Sequence, residues 1–422
     1  MQNFTFWKNE NGESEFLWPK QQRDMLKYSL NSNIVVPSAI QFNFAVDTEK
    51  MEKAVQAAFD SYDVIRAISS IHDGKYYYKI VDNYKYKLDY YEAVGNDYEE
   101  RFENALMKID EKASVPLDFF NELSVKIGLI KVTDELYIFY FIGHPLVADG
   151  SAGMVIVDKI MSVYFDKPKM FHDGIQYYEF SKRCLEYESS EKGIKDRKYW
   201  DDELEGYKPY DVEKWYEGRK ADVKEYQQML DYELFKRVAS MKKTSIYNIA
   251  LLGIHIAAHI SLGITDTTVV VPSACRIKKD EMYTVGSLVR NTPHRMIFGR
   301  EEKLSDLLQT SIKKVSKNLI HHHAGTLEPS CQLTLSYNNF RGGLVPEYKI
   351  ITTKVGNNTR VTSDQIVTLV ELDNKLSLNF CFDHRISYET LCFFKETVQL
   401  TAKMLEEDPD ITVGKMAKIL GR

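Results

Sequence analysis

Apolar positions fall at helical spacing from Glu49 to Tyr62, where Met51, Ala54, Val55, Ala58 and Phe59 share one face. The pattern then shortens to strand period in Tyr76–Val81, Tyr84–Tyr91 and Leu123–Val132. After a turn at Thr133-Asp134-Glu135, Leu136–Ile142 is apolar on both faces, which predicts a central strand covered on each side. Ser151–Tyr164 reads as a helix, with Asp149 placed to cap it. Lys182–Glu205 is highly charged and helical, a surface connector with a solvated face, and the chain is divided there into lobes 1–185 and 186–422. The second half repeats the style, with helices at 246–264, 304–319 and 388–405 and strands at 267–271, 331–337 and 376–382. The pattern is that of an α+β protein with two lobes of similar size.

Ile246–Ile264 approaches the length of a membrane span. Asn248, His255, His259 and Ser261 interrupt it, so a helix buried inside a domain is expected and no membrane span. The chain has 422 residues, 44% of them hydrophobic, enough for two cores. Its 55 Lys+Arg against 61 Asp+Glu argue against a nucleic-acid binder, which needs basic patches to meet phosphates. The five cysteines (184, 275, 331, 381, 392) form no Cys-x-x-Cys pair, which predicts reduced thiols, no structural zinc and a cytoplasmic setting. No basic-then-apolar leader opens the sequence, and a monomer is expected.

The chemistry-bearing segment is Gly143-His144-Pro145-Leu146-Val147-Ala148-Asp149-Gly150, between the buried strand and a helix. A His and an Asp around a tight turn can serve as general base and orienting carboxylate. They can equally be a backbone-satisfied His and a helix cap. Other groups weigh less. His384 in Asp383-His384-Arg385 resembles the Asp-His-Arg of dihydrolipoyl acyltransferases but lacks the Asp-Gly that should follow. Three consecutive histidines, His321-His322-His323, fan out around a helix end and cannot converge on one ion, so no metal site is expected. His294, two residues beyond Thr292, reads as a strand-exit histidine, and Cys275 as a small core residue.

The segment ending in Asp149-Gly150 resembles the His-His-x-x-x-Asp-Gly motif of the condensation domains of nonribosomal peptide synthetases, within the chloramphenicol-acetyltransferase-like acyltransferase superfamily. Further landmarks follow in the family's order: Trp18-Pro19-Lys20-Gln21-Gln22, Tyr62-Asp63-Val64-Ile65-Arg66, Pro116-Leu117-Asp118, Tyr199-Trp200 with Leu204-Glu205-Gly206, and Pro272…Arg276. Val285 to Thr292 resembles the latch that ends Asn-Thr, with Asn291 as its Asn, and Ser336-Tyr337-Asn338-Asn339-Phe340 the strand facing the substrate tunnel. The resemblance implies two chloramphenicol-acetyltransferase-like lobes, each a mixed β-sheet flanked by helices, set in a V with a tunnel between them. It implies an acyl thioester donor on coenzyme A or a carrier protein's phosphopantetheine, and a small-molecule or peptide acceptor with an amine or hydroxyl. No bound cofactor is expected. The Asp is mainly structural in this family, so Asp149 is expected to pair with an Arg such as Arg276 across the lobes. Pro145, Arg276, Asn291, Tyr337 and Asn339 are the expected tunnel or structural residues.

Pro145 stands where the family has its catalytic His, and proline offers no base. His144, the first His of the motif, is the remaining candidate base, but an extended chain turns neighbouring side chains to opposite faces. Two readings stay open: a condensation-like acyltransferase impaired at this position, and a catalytically inactive relative acting as a binding or recruitment scaffold in secondary metabolism. Different chemistry in the same tunnel is a third. The chain is expected to be free-standing or cut from a larger synthetase.

Overall fold

The computed structural model describes residues 6–8, 14–29, 35–170, 172–325, 333–339, 348–351, 365–383 and 385–422. It is a mixed α/β structure with three sheets and falls into two compact units. The first unit comprises the chain up to Ser190, together with Ala274–Val289 and the strand Tyr348–Ile351. The second begins at Glu191 and ends at Arg422.

The main sheet of the first unit has five strands, in the order Tyr348–Ile351, Val36–Phe42, β2 (Leu136–Gly143), β1 (Val125–Thr133), Asp89–Glu92. The β1–β2 hairpin is antiparallel, and β2 also pairs antiparallel with Val36–Phe42. β2 is therefore interior to the sheet, and Tyr137 to Gly143 are all buried, as its apolar run predicts. Helix α1 (Gly150–Tyr164) follows it, and Thr48–Ser61 packs against α1. The predicted strand 84–91 is only partly one. Asp89–Glu92 pairs in parallel with β1, whereas Tyr84 and Tyr86 lay their rings on Phe59 at 5.6 and 4.6 Å. An alternating Tyr pattern satisfies either arrangement, and here the tyrosines are used to cover the helix carrying Phe59. The 182–205 run is two helices, α2 (Tyr177–Ser189) and Glu191–Glu203. The second is not wholly a solvated face, because Trp200 and Asp196 are buried.

The second unit carries a six-stranded mixed sheet. Its edge is a long-looped antiparallel pair, β3 (Asp266–Ser273) and β4 (Arg290–Ile297). β3 pairs in parallel with Leu333–Asn339, which pairs in parallel with Gln365–Leu372; Lys375–Cys381 and Gln227–Leu230 complete the sheet antiparallel. Helix α3 (Ile246–Leu262) packs against β3 and the helix Tyr388–Glu407; α4 (Leu304–Ile320) packs against β4. α3 is buried from Ile249 to Ile260, begins at a Ser245 cap and ends at Gly263 with φ 71°. No single helix among the described residues is long and apolar enough to cross a membrane.

Candidate functional site

The site grows out of the end of β2. The last strand residues pair on both sides, and His144 keeps one more bond, its N–H donating to Ser124 O at 2.9 Å. The chain then folds over itself. The His144 carbonyl accepts from Val147 N at 3.0 Å and from Ala148 N at 3.2 Å. The first of these bonds makes His144–Val147 a β-turn, with Pro145 at its second position. A ring-locked φ suits that position, and no backbone donor is needed there. The residue that supplies no base therefore supplies a stiff turn.

His144 is fully buried, its ring 4.5 Å from that of Phe119. Its Nδ1 accepts from Leu146 N–H at 3.0 Å. An imidazole whose Nδ1 lone pair is engaged carries its proton on Nε2 when neutral. That Nε2–H has no partner among the described residues. Burial pushes the imidazolium pKa down to about 3. His144 is thus a neutral ring with one nitrogen occupied and the other already protonated, and neither is poised to take a proton. The expectation of a base at His144 meets an obstacle beyond orientation: the ring is spent on holding its own turn.

Asp149 is the opposite case. Its carboxylate caps α1, accepting from Ala152 N at 2.9 Å. It also takes a bidentate pair of bonds from Arg276, Nη1 to Oδ2 and Nη2 to Oδ1, both 2.8 Å. Leu288 N at 2.9 Å and Val289 N at 3.2 Å complete its shell. Both side chains of the ion pair are about 5% exposed. The pairing joins two segments of one unit, because Ala274–Val289 packs with the first unit. Sequence reading placed Arg276 in the second lobe; Asp149 and Arg276 meet within the first.

Arg276 in turn fixes the segment that carries it. Its guanidinium donates to the carbonyls of Ala274, Thr284 and Gly286, each at 3.2 Å. Gly286 has φ 149°, and a Cβ there would lie 2.2 Å from the Tyr177 ring, so only glycine fits. Tyr177 opens α2, whose first N–H groups donate to Asp63: Tyr177 N and Tyr178 N reach its two carboxylate oxygens at 3.0 Å. Burial pushes the Asp63 carboxyl up, opposed by these backbone donors. Gln22 donates to Ser287 O at 2.8 Å and Gln21 to Val289 O. Arg183 pairs with Asp280 and Glu281 at 2.7 and 2.8 Å. Arg66 donates to Phe59 O at 2.8 Å and Val81 O at 2.6 Å, tying a helix end to a strand end. Gln21 and Gln22 thus hold the 274–289 segment directly and Asp63 holds it through Tyr177, whereas Arg66 braces the helix carrying Phe59 against the strand that ends before Val81.

The remaining candidates lie elsewhere. Gly150 is exposed, and a Cβ on it would meet nothing within 4 Å, so the turn into α1 does not need a glycine. Asn291 is half-buried on β4, opposite Pro272. Tyr337 is half-buried and donates its hydroxyl to Glu371, which also accepts from Tyr232. Asn339 ends its strand opposite Glu371; its side chain, like His384 and Cys331, lies outside the described residues. Cys275 is buried, with φ 51°, in the left-handed region just before Arg276. His294, read as a strand-exit histidine, lies within β4 and is fully buried. Sequence reading missed Leu288 and Val289 because they contribute backbone N–H groups, which any side chain would allow.

Surfactin synthase subunit 1 of Bacillus subtilis (strain 168) is 24% identical over 174 residues, 41% of this chain and 5% of that protein. The chain spans between 2% and 11% of the curated relatives it matches. Among solved structures, the first condensation domain of the calcium-dependent antibiotic synthetase, in complex with a substrate analogue, superimposes with a TM-score of 0.74 at 16% identity, covering 95% of this chain and 98% of that one. A mutant starter condensation domain of rhizomide synthetase, in complex with C8-CoA, gives a TM-score of 0.76 at 13% identity, covering 95% and 96%. The family model named condensation domain matches residues 17–408, and the chain belongs to the condensation-domain family.

Proposed function

We propose that this chain is a condensation-family protein that has kept the structural half of its motif and given up the base. It binds an acyl thioester, borne on coenzyme A or a carrier protein's phosphopantetheine, and serves as a binding or recruitment domain in a biosynthetic pathway. The observation that carries the reading is at 144–145. Pro145 has no proton-accepting group, and His144 is buried with Nδ1 engaged by Leu146 N–H. Asp149 meanwhile keeps its helix cap and its bidentate Arg276. Support for the ligand class comes from the solved relative in complex with C8-CoA.

A positioned general base contributes about 10²–10⁴ in rate. Proximity alone still favours attack on a thioester, so slow transfer is the outcome to test against. The experiment pairs binding with turnover. A non-hydrolysable acyl-CoA analogue is titrated into the native protein, and thiol release from an acyl-thioester panel is followed with mixed amines and alcohols. Saturable binding without acceptor-dependent release, and release gained in Pro145→His, is expected. Native acceptor-dependent release that falls at least 10²-fold in His144→Ala would overturn the reading in favour of acyl transfer with a rearranged base.

A further inference from the structure

Far from the motif in sequence, the second unit holds two histidines that the reading above does not use. His255 on α3 and His294 on β4 are each fully buried. They touch, Nε2 of His255 lying 2.9 Å from Nδ1 of His294. The pair is closed at both ends. His255 Nδ1 is 2.7 Å from Thr267 Oγ1 on β3, and His294 Nε2 is 3.2 Å from the Ser311 carbonyl on α4.

Hydrogen-bond direction follows from the fixed end. Ser311 offers His294 Nε2 its carbonyl at 3.2 Å and its hydroxyl at 3.4 Å; the nearer carbonyl only accepts, so His294 Nε2 carries a hydrogen. When that ring is neutral its Nδ1 is a bare lone pair, which the Nε2–H of His255 must meet. His255 Nδ1 is then bare and faces the Thr267 hydroxyl, whose hydrogen has a second acceptor in the Met296 carbonyl at 3.2 Å. The chain Thr267–His255–His294–Ser311 closes with both rings neutral, and it ties two strands to two helices. An added proton places a charge where solvent does not reach. On His294 Nδ1 the proton would also face the N–H of His255, donor against donor. On His255 Nδ1 it would turn the Thr267 hydroxyl to Met296 O, and the cost is that of the buried charge.

The charges around the pair pull in both directions. Lys314 on α4 opposes a proton on either ring, while Glu203 from the helix 191–203, paired with Lys314, favours one on His294. On β3 and β4, Asp266 is engaged by Arg295 at 2.7 Å. His259, one turn along α3, spends its Nδ1 on Ile264 O. The helix 388–407 presents Val398 to Gly253 of α3. Burial holds both rings below the usual imidazole range.

We propose that the His255–His294 pair is an acid-sensitive brace of the second unit: neutral, it locks α3 to β3, β4 and α4, and a proton taken from solvent by either ring opens that corner of the core. β3 and β4 are also the strands that lead, in chain order, into and out of the segment carrying Arg276, Leu288 and Val289.

Hydrogen exchange of the full chain tests this, read on peptides from 246–262 and 290–297 and corrected for the intrinsic rate. The unfolded chain takes a proton per histidine below about pH 6.5 and the closed brace does not, so the opening equilibrium grows up to tenfold per pH unit for each ring. Between pH 7.5 and 5.0 it should rise by at least about thirtyfold in the native protein. In H255Q/H294Q that rise should shrink at least about tenfold, leaving the share of His259 on the same helix, while other peptides keep their behaviour. An equal rise in the double variant would overturn the proposal. Should the variant fail to fold, ¹⁵N-histidine NMR of the native protein decides. Two neutral rings, each protonated on Nε2 and unchanged with pH until protection is lost, are expected; a ring titrating near 6.5 in the folded protein would refute the brace.

Discussion

Replacing Asp149 by Asn tests the clasp with almost no change in shape. The carboxylate receives five donors: two from Arg276 and one each from Ala152, Leu288 and Val289 backbone N–H. Asn caps helices about as well as Asp, so the α1 cap alone costs little. The charge is what matters. Asn leaves the Arg276 guanidinium buried without a counter-ion and turns an amide NH₂ toward donors. Removing one member of a buried pair costs about 3–5 kcal/mol. Against a typical total of 5–15 kcal/mol, that is a large share. At roughly 2–4 °C per kcal/mol for a unit of this size, the transition of the first unit should fall by roughly 6–20 °C. Arg276→Met removes the orphaned charge, so the double variant should be less destabilised than the sum of the two single ones, with a coupling of at least about 2 kcal/mol. Urea and thermal unfolding of the four proteins measure this. A loss below about 1 kcal/mol in Asp149→Asn, with additive singles, would refute the claim that this pair is a desolvated clasp.

Further expectations concern the same region. Gly150→Ala places a methyl in open space at the start of α1 and should stabilise by about 0.4–1 kcal/mol in urea unfolding, whereas a loss would expose an unseen constraint. Gly286→Ala must displace the Tyr177 ring or the backbone and should cost about 2 kcal/mol or more, read by the same method. Asp63→Ala strands the first N–H groups of α2 and should cost about 1–3 kcal/mol. For His144 the pH sign is definite. The native ring stays neutral down to about pH 3, while the unfolded chain takes the proton near 6.5, so its contribution to stability is complete above about 6.5 and drains away as pH falls. Unfolding free energies from pH 7.5 to 5 should show a slope that flattens in His144→Gln.

Much of the fold was legible because it rests on periodicity. The two-sided apolar run at Leu136–Ile142 became the interior strand β2, and the Asp149 cap sits where the pattern put it. What failed depended on long-range choice. Tyr84–Tyr91 alternates like a strand, yet its first tyrosines cover Phe59. Ala274–Val289 interrupts the second half to pack with the first unit, and no local signal marks that excursion. The site divided along the same line. Asp149 and Arg276 could be named from residue type and resemblance, whereas the tautomer of His144 depends on a backbone N–H two residues away. The His255–His294 contact spans 39 residues and pairs a helix with a strand, which no motif spacing encodes.

The proposed loss of a usable base at the motif is best tested on His144 itself. In ¹⁵N-histidine NMR of the native protein between pH 8 and 5, the His144 ring should hold one neutral state, protonated on Nε2 and bare on Nδ1, without titrating. A His144 signal that titrates with a midpoint near 6.5, or that carries its proton on Nδ1 and leaves Nε2 free, would contradict the account and restore His144 as a base.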